Sequence, residues 1–253
     1  MAGHQGYRVQ KLSRARLALA AGQEMARQRH LMFALVEADL TEPLRLIAGQ
    51  RERTGEKPSL AGYVAICLGR TLAEFPEANA FRRGRTLVLL DDVIVVVLVE
   101  RTIDGQPAVG YLPLHHADTT DLAEATRQIR AEQASAPRVV AGQRWLERIP
   151  VAVTPLVMRW ASQRIVWALR YGVAGVNNVG FEQDTVDWGL SPGAGTIAVT
   201  IGGIGVRPLL DGSERRIAHL TLTFDHDVLD GMPAARVTSR LLEILASGDL
   251  ART

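Results

Sequence analysis

Leu222-Thr223-Phe224-Asp225-His226-Asp227-Val228-Leu229-Asp230-Gly231 is the stretch on which the reading of this chain turns. Apolar residues alternate from Ile217 to Phe224, a strand pattern, and the alternation stops at an Asp-His pair. Asp230 follows four residues after His226, then Gly231, and a helical pattern runs from Pro233 to Ser247. An imidazole is therefore expected at a strand end, in a tight turn, beside a carboxylate able to hold its tautomer. Such a histidine suits general-base chemistry, because its ordinary pKa lies close to neutral pH.

Asp225-His226-x-x-x-Asp230-Gly231, followed by Pro233-Ala234-Ala235-Arg236, resembles the active-site motif of the 2-oxoacid dehydrogenase acyltransferases. These are the E2 catalytic domains, related to chloramphenicol acetyltransferase. Lys11 to Ala20 resembles the family's opening helix, and His30 to Thr41 the strand after it. Pro76-Glu77-Ala78-Asn79-Ala80 is similar to a family signature after the second long helix. Thr196 to Pro208 is similar to the strand and turn before the histidine motif. The resemblance covers nearly the whole chain, so residues 1–253 are expected to form one E2-like catalytic domain. It implies an α/β chloramphenicol-acetyltransferase-like fold, an α+β two-layer sandwich with a mixed sheet and helices. It also implies acyl-coenzyme A as a substrate, His226 as general base and Asp230 as the residue that keeps the turn in shape. The implied assembly is a homotrimer or a trimer-based cage, each active site taking its histidine from one subunit and its oxyanion donor from the next.

Two departures fall on the chemistry. Val176-Asn177-Asn178-Val179-Gly180 stands where the family usually has Ile-Ser-Asn-Leu-Gly. Asn177 replaces the serine that donates to the oxyanion, and an amide can also donate there, although it is longer; Asn177-Asn178 can equally be a simple turn. Asp227 stands where the family usually has arginine. Its carboxylate either lies near the His226 ring, where it would raise the imidazole pKa, or points to solvent. The spacing of Asp225, His226, Asp227 and Asp230 does not suit a calcium loop, and no metal is expected.

A third departure is the longer segment from Trp145 to Tyr171. Val157, Trp160, Ala161, Ile165 and Ala168 can share one helical face, with Arg159, Gln163 and Arg170 on another. Its readings are a surface for lipid, a partner or an acyl chain, or else an ordinary packed helix or oligomer contact. Membrane contact is not expected of the chain as a whole. His30 aligns with a family region near the substrate channel, and His115-His116 reads as surface.

Composition narrows the classes. Hydrophobic residues make up 47% of 253, enough for a sizeable core, and the formal charge is +2. Charges are scattered and aromatic residues are 5%, so no nucleic-acid partner is expected. The single cysteine, Cys67, sits in an apolar helical pattern and reads as a small buried hydrophobe. No apolar run reaches membrane-spanning length and no signal peptide is legible, which makes the cytoplasm the expected location. The only lysines are Lys11 and Lys57, neither in a lipoyl-type hairpin, so no lipoyl attachment is expected in this chain. A lipoyl-bearing protein or dehydrogenase would then be a separate partner. Two functions remain: acyl transfer to a thiol or small-molecule acceptor, or a catalytically degenerate E2-like trimer serving as scaffold or binding partner.

Helices are expected over Ser13 to Gln28, from Thr41, from Ser59 to Phe75, from Asp118 to Ala134 and from Pro233 to Ser247. Strands are expected over Leu31 to Asp39, Thr86 to Leu90, Val93 to Thr102, Gly195 to Gly202 and His219 to Phe224. Gly49 to Lys57 reads as a polar linker, Asp104-Gly105 as a turn, and Leu210 to Glu214 as the turn between the last two strands.

Overall fold

A computed structural model describes Ala26, residues 29–103, 106–135, 164–179, 187–193 and 195–252, with Val153, Leu156, Val157 and Trp160. The expected opening helix and the Asp104-Gly105 turn lie outside the described residues, as does most of the Trp145 to Tyr171 segment.

β1 (Leu31–Asp39) has the expected bounds, and α1 (Thr41–Thr54) follows at once. Asp39 Oδ1 accepts the Thr41 backbone N–H at 3.0 Å. The expected linker from Gly49 is instead the second half of α1, and Gly55, in the left-handed region at φ 75°, stops the helix. α2 (Leu60–Glu74) starts at Ser59, whose hydroxyl accepts the Gly62 N–H. This helix is buried along most of its length. Cys67 is fully buried, and burial pushes its thiol up to about 12.

β2 (Ala80–Arg83) and β3 (Thr86–Leu89) form a separate hairpin. β4 (Val95–Ile103) and β5 (Gln106–Leu114) form another within the main sheet. α3 (Leu122–Ala134) begins four residues later than Asp118, because Asp121 is the cap: its carboxylate accepts the Glu124 N–H at 2.7 Å. α4 (Ile165–Tyr171) leads through Gly172 into β6 (Ala174–Asn178). β7 (Ile197–Pro208) and β8 (Glu214–Asp225) are both longer than their sequence pattern. A register shift between Ile201 and Ile204 absorbs Gly202-Gly203, so the strand continues past the glycines that looked like its end. A side chain at Gly202 would meet the Asp187 carbonyl oxygen at 2.2 Å. α5 (Gly231–Ser247) closes the fold.

The main sheet has the order β1-β8-β7-β6-β4-β5. β6 runs parallel to both β4 and β7, and the other pairings are antiparallel, which makes the sheet mixed. α1, α2, α3 and α5 cover one face. There the core gathers Val95, Val97, Val176, Val199, Leu222 and Phe224 from the strands with Tyr63, Leu68, Leu122 and Leu241 from the helices. The Tyr63 hydroxyl donates to the Leu245 carbonyl at 2.8 Å and ties α2 to α5 inside that core. Among the described residues, no helix is long and apolar enough to cross a membrane.

The registers place the start of β1, the end of β8, the starts of β7, β6 and β4, and the end of β5 along one edge of the sheet. His30, His226, Gly195 and His115-His116 all lie on that edge.

Candidate active site

β8 ends at Asp225, whose N–H bonds the Thr196 carbonyl and whose own carbonyl accepts the N–H groups of Val228 and Leu229, each at 3.0 Å. This closes a tight turn. Leu229, 2% exposed, pins the turn to the core, and α5 begins when Ala234 N–H bonds the Asp230 carbonyl. His226 sits at the crest, its side chain 50% exposed, so the imidazole is held by backbone yet open to a ligand.

The buried carboxylate bonded into the turn is that of Asp225. Asp225 is 4% exposed, accepts the Asp227 N–H at 3.1 Å and pairs with the Arg29 guanidinium, which also donates to the Gly195 carbonyl at 3.1 Å. A buried carboxylate needs such partners in place of water. Gly195 is required at that point, since a Cβ there would meet the Val173 carbonyl oxygen at 2.2 Å. Asp230 lies at the helix start without capping it through its side chain, is 85% exposed, and stands 3.7 Å from His226 Nδ1. That separation is too long for a hydrogen bond.

Asp227 finds partners that the sequence pattern did not suggest. Its carboxylate bonds His30 Nδ1 and the Arg82 guanidinium, each at 3.0 Å. The hydrogen bond from His30, with the positive charge of Arg82, holds it below the usual carboxylate range. His30 is exposed and its carbonyl accepts the His226 N–H at 2.8 Å. Two histidines and three carboxylates thus share the end of β8, with arginines from a neighbouring hairpin and from before β1.

Asn177 lies inside β6, so it is no turn residue. Ala174 and Val176 are buried towards the helices, which leaves Asn177, partly exposed, on the opposite face of the sheet. It pairs in register with Thr200, and Thr200 with Thr221. His226 is five residues beyond Thr221. The two side chains are therefore separated by roughly 16 Å along the strands and roughly 10 Å across them within one chain. The fold brings His226, Asp230, Asp227 and His30 together and keeps Asn177 apart from them.

Other candidates fall elsewhere. His115 and His116 each bond a different oxygen of Asp92, at 3.0 and 2.9 Å, and His116 has φ 50°. His219 is mostly buried against Trp188, with ring centroids 4.7 Å apart. Among the described residues, no three His, Cys, Asp or Glu side chains are arranged to hold a metal. Of the helical face expected over 157–168, Ala168 is buried against Phe81, Leu90 and Val173, while Trp160 and Ile165 are exposed. Arg29 and Arg82 are the residues that sequence reasoning missed. Only the tertiary pairing to Asp225 and Asp227 reveals them.

No family model and no curated protein matches the sequence. Solved structures match along nearly the whole length. The dihydrolipoamide acetyltransferase (E2p) of Azotobacter vinelandii, studied for the role of a serine, a histidine and an asparagine in its catalytic mechanism, is 17% identical with a TM-score of 0.66, covering 96% of this chain and 93% of that one. The cubic core of the pyruvate dehydrogenase multienzyme complex matches with the same identity, coverage and TM-score. A chloramphenicol acetyltransferase matches at 14% identity and a TM-score of 0.51, covering 89% of this chain and 94% of that one. The chain therefore has the fold that the E2 catalytic cores and chloramphenicol acetyltransferase share.

Proposed function

We propose that this protein is an acyltransferase that moves an acyl group between coenzyme A and a second acceptor, with His226 as the general base. The observation that carries the reading is the place of His226. It stands half-exposed on a turn braced by the buried Arg29–Asp225 pair, at the strand end of an acyltransferase fold. The acceptor is a thiol, such as dihydrolipoamide brought by a separate lipoyl-bearing protein, or a small molecule. His226 removes the acceptor's proton as the acceptor attacks the thioester carbonyl. Asn177 then donates its amide N–H to the oxyanion. The separation within one chain means that Asn177 serves the His226 of a second copy, which is the arrangement a closed homotrimer or trimer-based cage supplies. That assembly, together with a cytoplasmic location, belongs to the proposal.

One observation favours the scaffold reading: Asp230 is exposed and outside hydrogen-bonding range of His226. A transfer assay separates the two. Acetyl-coenzyme A and dihydrolipoamide should give acetyl transfer, and His226→Ala should lower turnover by about 10²–10⁴ with coenzyme A binding kept. Transfer absent from the wild type across acetyl to long-chain donors would leave the scaffold.

A further inference from the structure

Two histidines, each with a carboxylate, stand at the end of β8. The β1–β8 register pairs Leu31 with Asp225, so the next pair is His30 with His226, and the 2.8 Å bond from His226 N–H to the His30 carbonyl shows that pairing continues to this point. Directly opposed residues of an antiparallel pair project to the same face, with Cβ atoms about 4.5–5.5 Å apart. The two side chains therefore leave adjacent strand ends on the same face. Of the two, His30 has the better-formed dyad: Nδ1 lies 3.0 Å from Asp227 Oδ1, against 3.7 Å for His226 Nδ1 and Asp230 Oδ1. Arg82, reaching across from β2, bonds the other oxygen of Asp227 and fixes the carboxylate. With Nδ1 committed to Asp227, Nε2 of His30 is left as the proton-exchanging atom of an exposed ring. The charged groups around the pair are Asp227, Asp230, Arg82 and the mutually bonded Arg29 and Asp225.

We propose that His30, oriented by Asp227, is a second catalytic residue that gives a proton to the departing coenzyme A sulfur while His226 takes one from the acceptor. The proposal rests on the acyltransferase reading. The acceptor's X–H proton passes to Nε2 of His226, and the freed pair bonds the thioester carbon. The carbonyl π pair moves to oxygen. Collapse restores C=O and breaks C–S, and the sulfur pair takes the Nε2 proton of the His30 imidazolium. His226 ends protonated and His30 neutral, and exchange with water resets both. Asp227 stands where the family resembled by this chain usually has arginine, and a carboxylate there is what turns His30 into a dyad.

The test combines two readouts on the full chain. Nitrogen-15 histidine spectra should show neutral His30 protonated at Nδ1, and Asp227→Asn should shift that tautomer. With acetyl-coenzyme A and dihydrolipoamide, His30→Gln should lower kcat by about 10²-fold, with KM for acetyl-coenzyme A within about twofold, and should remove the basic limb of the pH–rate profile. Asp227→Asn should do the same in part, and the double variant should be no worse than His30→Gln. Thermal melts within about 2 °C of wild type would show that the exposed substitutions leave the fold intact. A His30 protonated at Nε2, or a His30→Gln variant with wild-type kcat and both pH limbs, overturns the dyad's role while the acyltransferase reading stands. A wild type that transfers no acetyl group overturns that reading as well, whatever the tautomer.

Discussion

At the residue scale, the decisive contacts are those that hold the His226 turn. Arg29 and Asp225 form a largely buried pair, with side chains 20% and 6% exposed. Removing one partner strands the other, so Arg29→Met should cost about 3 kcal/mol. In a chain this long, that lowers the melting temperature by about 6–12 °C. A calorimetric melt displaced by less than about 2 °C would show that the turn is braced by other means. Asp227 gives a pH prediction. Its carboxyl is held below its ordinary value of 3.8 by the His30 hydrogen bond and Arg82. A depressed folded-state pKa contributes stability that is present above the unfolded value and lost as pH falls through the folded value. The melting difference between wild type and Asp227→Asn should therefore be constant around pH 5 and shrink below about pH 4. A difference that grows on acidification would put the carboxylate elsewhere. The sequence pattern made His226 and the turn legible. It did not show the Arg29–Asp225 brace, because spacing along the chain shows neither which carboxylate faces inward nor that Arg29, nearly two hundred residues earlier, would reach Asp225.

At the element scale, local signals placed those elements that carry their own caps and periodicity. Ser59 starts α2 as its hydroxyl requires, and the apolar run that opens Leu31–Asp39 is a strand without correction. β2 and β6 went unseen because four or five residues, with arginines or glycine and asparagine among them, hold too little periodicity. Their strand form comes from neighbours: Asn79 Nδ2 donates to the Leu90 and Asp92 carbonyls beside the hairpin, and β6 fills the slot between β4 and β7. Close approach of elements gives a third prediction. α2 passes so near the turn after His116 that a Cβ at Gly69 would lie 2.4 Å from the Ala117 carbonyl carbon. Gly69→Ala, which would favour an isolated helix, should here destabilise by about 1–3 kcal/mol through backbone displacement. A urea titration with an unchanged or raised midpoint would show that the turn yields freely.

At the scale of the whole molecule, the separation of Asn177 from His226 is the governing fact. If one chain contributes the base and a second the oxyanion donor, two inactive variants should complement. His226→Ala and Asn177→Ala, unfolded together and refolded at equal ratio, should recover about a quarter of wild-type acetyl transfer, the share of randomly formed interfaces that keep both groups. Recovery should track trimer formation followed by sedimentation and vanish on dilution to monomer. No recovery from a well-formed mixed trimer would place the oxyanion donor elsewhere.

The sequence by itself determined the fold and the turn that carries His226. Strand alternation, helix caps and the Asp-His turn are local properties, and their order along the chain matched one architecture that the solved structures share. Tertiary structure alone decided the bracing of His226 by Asp225 and Arg29, the pairing of Asp227 with His30 and Arg82, and the distance from His226 to Asn177. Those are contacts between segments remote in sequence, set by sheet register and by which polar groups must be paired once water is excluded.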